Sequence, residues 1–443
     1  MKKNSLSHVQ VIALGYFVMI LIGTALLMIP AASADGKSAP LLTSLFTAIS
    51  SSCVTGLILR DTATGWSMFG QVIIILLIQI GGLGFMTIAT FAYSVARKRM
   101  GLRQREIMME SVNNSQISGI LRFSRQIIRY TAVFEGTGAL LLAAAFVPRL
   151  GVKGIWYGVF HAISAFCNAG FDLMGIYGPF GSFTSLYSDW FVNAVLMVLI
   201  IAGGLGFLVW GDLASNRFHW KRYRLHSKLV LVVSAILTFG GALLIFFFES
   251  HATGEGMALG DRILTALFAS VTARTAGFNT VDVGAMSGGS KLLTILLMVV
   301  GGSSGSTAGG VKTTTIAVIF LYLFAGFKGK QKPQVFGRSI SQDTLQKSCT
   351  ILLFNIGTAL AATLVICALQ NFDLVDILFE TFSAIGTVGM TAGITQQLNT
   401  ASALVIALLM DMGRVGSVSF AVALLEKKAR PAVRCPEEEI TVG

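Results

Sequence analysis

The sequence predicts an all-α membrane protein: four tandem outer helix–pore helix–inner helix repeats around a pseudo-four-fold pore, with eight transmembrane spans and four re-entrant pore helices. Three observations lead there. The 443-residue chain is 54% hydrophobic and 12% charged, with a mean hydropathy of +0.75, so it has too little polar surface to cover a soluble globule. Eight apolar stretches match or exceed the roughly 20 residues that cross a bilayer. Between them lie four shorter apolar stretches, each followed by a glycine-centred turn, at a nearly constant interval.

The expected spans are 8–30, 66–96, 127–148, 190–216, 226–249, 289–327, 345–370 and 400–425. The first is followed by Pro30 and lacks a small-residue cleavage site, so it reads as a retained span rather than a signal peptide. The formal charge is +12, and 24 of the 33 Lys and Arg fall at Lys2 and Lys3, Arg97 to Arg129, Arg217 to Lys228, Lys328 to Lys347, and Lys427 to Arg434. These groups open the chain or follow the even-numbered spans. That is membrane topology, not nucleic-acid binding: the cations lie on the cytoplasmic side of the membrane, with both termini. The opposite connections carry Asp35, Asp61, Asp172, Asp189, Glu249, Glu255, Asp261, Asp282, Asp373 and Asp376, a negative mouth that concentrates cations.

The short apolar stretches are 41–52, 155–166, 263–274 and 377–386, too short to span and suited to re-entrant helices. Each runs into a glycine turn at Gly56, Gly170, Gly277 or Gly389, so the separations are 114, 107 and 112 residues. A period near a quarter of the chain marks four copies of one unit, placed at 1–126, 127–225, 226–344 and 345–443. Bare backbone at membrane depth is tolerated only inside protein or along a watery path. Four such turns meeting on an axis can offer their carbonyl oxygens to a desolvated cation, and glycine permits the positive φ that turns carbonyls to one side. The hydroxyls of Thr55, Thr275 and Thr387 are expected to add oxygens at one end.

The sixth span is too long to be one helix and contains Gly301, Gly302, Ser303, Ser304, Gly305, Ser306, Thr307, Ala308, Gly309 and Gly310. Such a run does not hold a lipid-facing helix, so the span is expected to break into two halves around a flexible loop. A phosphate-binding loop needs Gly directly before Lys, and Val311 separates Gly310 from Lys312. Lys312 and Arg414 are cations at span depth and therefore functional candidates. For Arg414, two readings stand: a barrier to cations, or an ion pair with Asp411. "GGLGF" at 81–85 and 203–207 reads as close helix packing.

The pieces "HAISAFCNAGF", "RTAGFN" and "FETFSAIGTVGMT", with one glycine per loop in four fused units, resemble the Trk/Ktr/HKT superfamily of potassium transporters, most closely its Ktr-type (KtrB-like) membrane subunits. The resemblance implies an ion selectivity filter at Val54, Thr55, Gly56; Asn168, Ala169, Gly170; Thr275, Ala276, Gly277; and Thr387, Val388, Gly389. It implies that 301–310 gates the pore, and it favours the barrier reading of Arg414. A serine in place of the first filter glycine goes with sodium transport in that superfamily, and Gly56 points to potassium, with sodium dependence left open. The resemblance further implies a homodimer in the lipid bilayer on a cytoplasmic RCK-type regulatory subunit (KtrA-like), through which alone nucleotide acts. No catalytic spacing suggests an enzyme. An alternating-access secondary cation transporter is the rival reading, disfavoured because such folds usually carry inverted repeats.

Three features stay with bland readings. Glu135, alone within the third span, is an ion site or a hydrogen-bonded buried carboxyl. His161 reads as packing or hydrogen bonding, and Cys349, Cys367 and Cys435 as small apolar fillers. Segment 97–129 reads as an interfacial helix or a partner-docking surface.

Overall fold

A computed structural model describes residues 8–84, 87, 120–217, 219–330 and 332–416. The first unit comprises α1 (His8–Leu27), α2 (Leu41–Cys53) and α3 (Met68–Leu83). The second has α4 (Ile120–Leu150), α5 (Lys153–Phe166), α6 (Trp190–Leu205) and α7 (Phe207–Asn216). The third has α8 (Leu225–Phe248), α9 (Leu259–Thr272), α10 (Gly288–Val299) and α11 (Thr313–Phe327). A small hairpin of β1 (Gln334–Val335) and β2 (Arg338–Ser339) leads to α12 (Gln342–Leu369), α13 (Leu374–Gly386) and α14 (Thr400–Val415).

Among the described residues, α1, α4, α8 and α12 are each long and apolar enough to cross a membrane. They leave large apolar side chains uncovered, with Phe239 68% and Leu364 72% exposed. A row of such side chains is stable against lipid and costly against water, so the protein is a multi-pass membrane protein. α4, α8 and α12 start at 120, 225 and 342, a few residues before the apolar runs that suggested them. Hydropathy cannot register a helix that continues into polar sequence such as Arg122, Arg125 and Arg129. The short helices α2, α5, α9 and α13 have 13 or 14 residues, about 20 Å of rise, and bury most of their side chains in the centre.

A ring closes around those short helices. Each packs on the outer helix of its own unit and on the inner helix of the unit before it, α2 on α14, α5 on α3, α9 on α6, α13 on α10, and α2, α5 and α13 pack also on the inner helix of their own unit. Glycine permits the closest contacts. A Cβ at Gly81, Gly203 or Gly413 would collide with Ser52 O, Phe166 O or Ile385 O, in the last turn of that unit's short helix. Gly81, Gly82 and Gly203 of the "GGLGF" pairs therefore serve packing, as expected, whereas a Cβ at Gly204 would meet only an ordinary contact.

The inner helices depart from expectation in one respect. The sixth span is broken as foreseen, between Val299 and Thr313, but the fourth, read as continuous over 190–216, also breaks. At Gly206, with φ at +92°, the chain turns by 95° between α6 and α7. The amide of Phe207 leaves the helical ladder and donates to Gly305 O at 2.8 Å. α3 and α14 likewise stop at Gly84 (φ +80°) and Gly416 (φ +94°). Hydropathy is blind to such breaks because the flanking residues stay apolar. The rest of the second and eighth expected spans lies outside the described residues, apart from helical Thr87, as do 97–119, the cation groups at Lys2 and Lys3 and at 427–434, and Cys435. Cys53, Cys167, Cys349 and Cys367 are free thiols.

Candidate functional site

The four glycine loops follow the C-termini of α2, α5, α9 and α13 and share one backbone pattern. Two residues before each glycine, Val54, Asn168, Thr275 and Thr387 have φ of 59°, 60°, 72° and 50°. The glycines themselves have φ of 101°, 69°, 83° and 90° in the same order. Left-handed conformations cost a side-chain-bearing residue about 1–2 kcal/mol, so four repeats of the pattern reflect a shared requirement. The loops also meet. A Cβ at Gly56 would stand 2.5 Å from Ala169 O, at Gly170 2.8 Å from Ala276 O, and at Gly277 2.6 Å from Val388 O. One at Gly389 would collide with Thr55 O, which closes the ring. The four loops thus close a ring in which each glycine abuts a carbonyl of the next loop, and each loop follows the C-terminus of a short helix, the negative end of its dipole. That arrangement favours a cation.

Hydroxyls from the short helices tie this backbone from behind. Ser50 Oγ accepts from the Gly56 amide (3.0 Å) and Ser383 Oγ from the Gly389 amide (3.1 Å). Ser164 donates to Phe171 O (2.6 Å) and Thr272 to Phe278 O (2.8 Å). The signal for this set was present but unread: Ser50, Ser164 and Ser383 each stand six residues before their glycine. Thr55, Thr275 and Thr387 have buried hydroxyls without a partner among the described residues, but they do not share one level. Thr275 and Thr387 stand two residues before their glycines and Thr55 one, so the expectation of three hydroxyls at a single end is corrected to two.

Residues 301–310 sit against the ring at the level of those two threonines. Thr307 Oγ1 lies 3.1 Å from Asn168 Oδ1 and 3.0 Å from Phe166 O. A Cβ at Gly309 would collide with Thr387 Oγ1, and one at Gly301 would stand 3.3 Å from Thr275 Cγ2. The loop is pinned to the second unit through Ser303 N to Gly204 O (2.9 Å). The two candidate cations hold it as well. Lys312 Nζ donates to Ala308 O (2.7 Å) and Gly309 O (3.2 Å). Arg414 donates to Thr307 O, to Gly81 O, and to Gly82 O at 3.0 Å. The alternative ion pair is not formed: Arg414 goes to carbonyls, while Asp411 accepts from Cys53 Sγ (3.9 Å).

Other candidates settle into the frame. Glu135 takes Gln79 Nε2 (3.1 Å) and Cys167 Sγ (3.7 Å), joining α4 to α3 and to the end of α5. His161 Nε2 accepts from the Leu173 amide (3.0 Å), which leaves Nδ1 to carry the proton and donate to Tyr157 O (2.7 Å). Several acids expected at a negative mouth are neutralised locally: Asp35 by Arg60 at 3.5 Å, Asp189 by Arg149 at 2.5 Å, Asp376 by Lys291 at 2.8 Å. Burial, with Asp61 nearby, pushes the Asp172 carboxyl in the α5–α6 connection up to about 7, although it accepts from the Met174 amide. Glu380 was not singled out from the sequence. It is fully buried on α13, where Oε1 accepts from Thr391 Oγ1 (3.0 Å) and from Thr395 Oγ1.

The chain is similar along its length to known cation transport proteins. Residues 5–431 match the TrkH family of cation transport proteins. The chain is 40% identical over 451 residues to the potassium/sodium uptake protein NtpJ of Enterococcus hirae, covering 100% of this chain and 98% of that protein. It is 37% identical over 437 residues to the Ktr system potassium uptake protein B of Bacillus subtilis, covering 98% and 96%. Among solved structures, the potassium transporter TrkH from Vibrio parahaemolyticus superimposes with a TM-score of 0.75 over 96% of this chain and 86% of that one. At 17% identity that match speaks for the fold alone.

Proposed function

The chain belongs to the TrkH family of cation transport proteins, and from that premise we propose that it is the potassium-translocating pore subunit of a Ktr-type uptake system. The observation that carries the proposal is the ring itself, in which each loop glycine abuts the carbonyl before the glycine of the next loop. Val54 to Gly56, Asn168 to Gly170, Thr275 to Gly277 and Thr387 to Gly389 form the filter. A potassium ion entering it exchanges its water shell for those carbonyls, and the fixed positions of the oxygens set which ion is solvated best. The four units open with the outer helices α1, α4, α8 and α12, so the last three begin at 120, 225 and 342 rather than at the expected 127, 226 and 345; they run parallel in topology and surround one path.

Residues 301–310, with Lys312 and Arg414, form the gate. The loop occupies the inner end of the ring, and the two cations repel an ion that has passed the filter while holding the loop's carbonyls in place. Movement of α10 and α11, driven by an RCK-type subunit on the cytoplasmic side, withdraws the loop. The relatives named for Ktr systems support such a partner, and NtpJ's name supports sodium as a second cation. The chain acts as a homodimer with both termini inside. Potassium-dependent growth of a transporter-deficient bacterium expressing this chain, with and without a KtrA-like partner, tests the proposal. Growth at low potassium that needs the chain and improves with the partner is expected. No growth from chain present in the membrane with its partner contradicts it.

A further inference from the structure

The units differ at one position on the short helices. Nine residues before the loop glycine stand Thr47, His161, Phe268 and Glu380, all at most 1% exposed. In the second and fourth units this residue reaches past the glycine to hold the outgoing chain: His161 takes the Leu173 amide (3.0 Å), and Glu380 takes Thr391 (3.0 Å) and Thr395. Among the described residues Thr47 Oγ1 has no partner, and Phe268 can offer none. In the third unit Thr272 holds Phe278 O directly after the glycine, and farther along, the outgoing chains of the first and third units are held by their neighbours. Gln396, next to Thr395, donates to Ile58 O (3.3 Å), and Ser182 Oγ accepts from the Asn279 amide (3.2 Å). The contact order around the ring sets Gly170 and Gly389 opposite each other.

From this we infer that Glu380 and His161 are positioning residues for ion discrimination: two opposed clamps on which the outer end of the whole carbonyl ring rests. The inference rests on the filter reading above. Each clamp fixes its own loop, and that loop's continuation fixes the next one, so the four-fold ring is supported in a two-fold way. Where potassium is distinguished from sodium by the placement of backbone oxygens, loosening a clamp lets the ring adapt to the smaller ion. The clamp needs an acceptor at position 380, not a charge.

The test is rubidium-86 uptake into proteoliposomes containing the full chain, competed by potassium and by sodium. Glu380→Ala should lower the preference for potassium over sodium by about tenfold, the scale of losing one or two hydrogen bonds that fix a backbone. Glu380→Gln, which keeps a carbonyl acceptor, should restore most of it. Thr391→Val and Thr395→Val should shift it the same way by less, His161→Ala should resemble Glu380→Ala, and Thr47→Val should change nothing. An unchanged preference in Glu380→Ala overturns the inference. If that variant does not fold, an unchanged preference in both threonine variants does so. Wild-type chain that carries no potassium removes the filter reading and this inference with it, a result distinct from selective wild type with unaltered variants.

Discussion

Replacing Gly56 by serine is the substitution whose consequence follows most directly from the ring. At φ of +101° a side-chain-bearing residue is strained, by about 1–2 kcal/mol. The new Cβ would also lie 2.5 Å from Ala169 O and 3.1 Å from Gly170 Cα, where ordinary contacts begin at 3.4 Å. Both obstacles are backbone, so the ring must shift by about 0.5–1 Å, moving the Ala169 carbonyl off its place. If 1–2 kcal/mol of the filter's preference is lost in that shift, potassium-over-sodium selectivity falls by about fivefold to thirtyfold. Paired potassium and sodium uptake in cells lacking their own transporters measures this. Gly36→Ala is the control, since Gly36 also has positive φ but nothing within 4 Å of its Cβ. An unchanged ratio in Gly56→Ser at normal abundance refutes the reasoning, because the first loop then does not line the path.

Deleting Gly302 to Thr307 removes the ties to Gly204, Phe166 and Asn168 and should raise potassium uptake while weakening its dependence on the partner. Zero uptake from a deleted chain that reaches the membrane would mean the loop is structural. Arg414→Ala should raise uptake severalfold, since it removes both a central positive charge and the bond to Thr307 O; uptake at or below wild type counts against the barrier. Asp172, with its folded-state value near 7 against 3.8 for the free group, penalises folding once ionised. The penalty grows as pH rises between those values and is complete above the higher one. Detergent-solubilised protein should therefore melt higher at pH 5.5 than at pH 8, with the Asp172 share of the difference gone in Asp172→Asn and nothing lost if Asp172 is not the cause. A cysteine beside Lys221 should be labelled only from the cytoplasm and one beside Asp35 only from outside; the reverse pattern contradicts the orientation.

The sequence revealed repetition better than geometry. The short helices are legible because a 10- to 12-residue apolar run followed by a glycine turn recurs at a nearly constant interval, and the structure places α2, α5, α9 and α13 on those runs. The break in the sixth span was legible because ten consecutive small residues cannot be a lipid-facing helix. The break at Gly206 was not: inside "GGLGF" it reads as packing, and the turn is visible only in the folded chain, where the Phe207 amide bonds to Gly305 O. The partners of Arg414 were hidden for a similar reason. Asp411 is near in sequence, whereas Thr307 O and Gly81 O are backbone atoms brought close only when the ring closes. Glu380 was visible inside a quoted motif but carried no signal until the nine-residue offset was read across all four units.

The central claim, that four glycine loops form one cation path, is tested most directly by locating the ion. Crystals or frozen particles of the full chain in rubidium or thallium should show density on the axis, within coordination distance of Thr55 O, Ala169 O, Ala276 O and Val388 O, that weakens when sodium replaces the heavier ion. Heavy-ion density found elsewhere in a well-ordered map, with none between those four carbonyls, would contradict it.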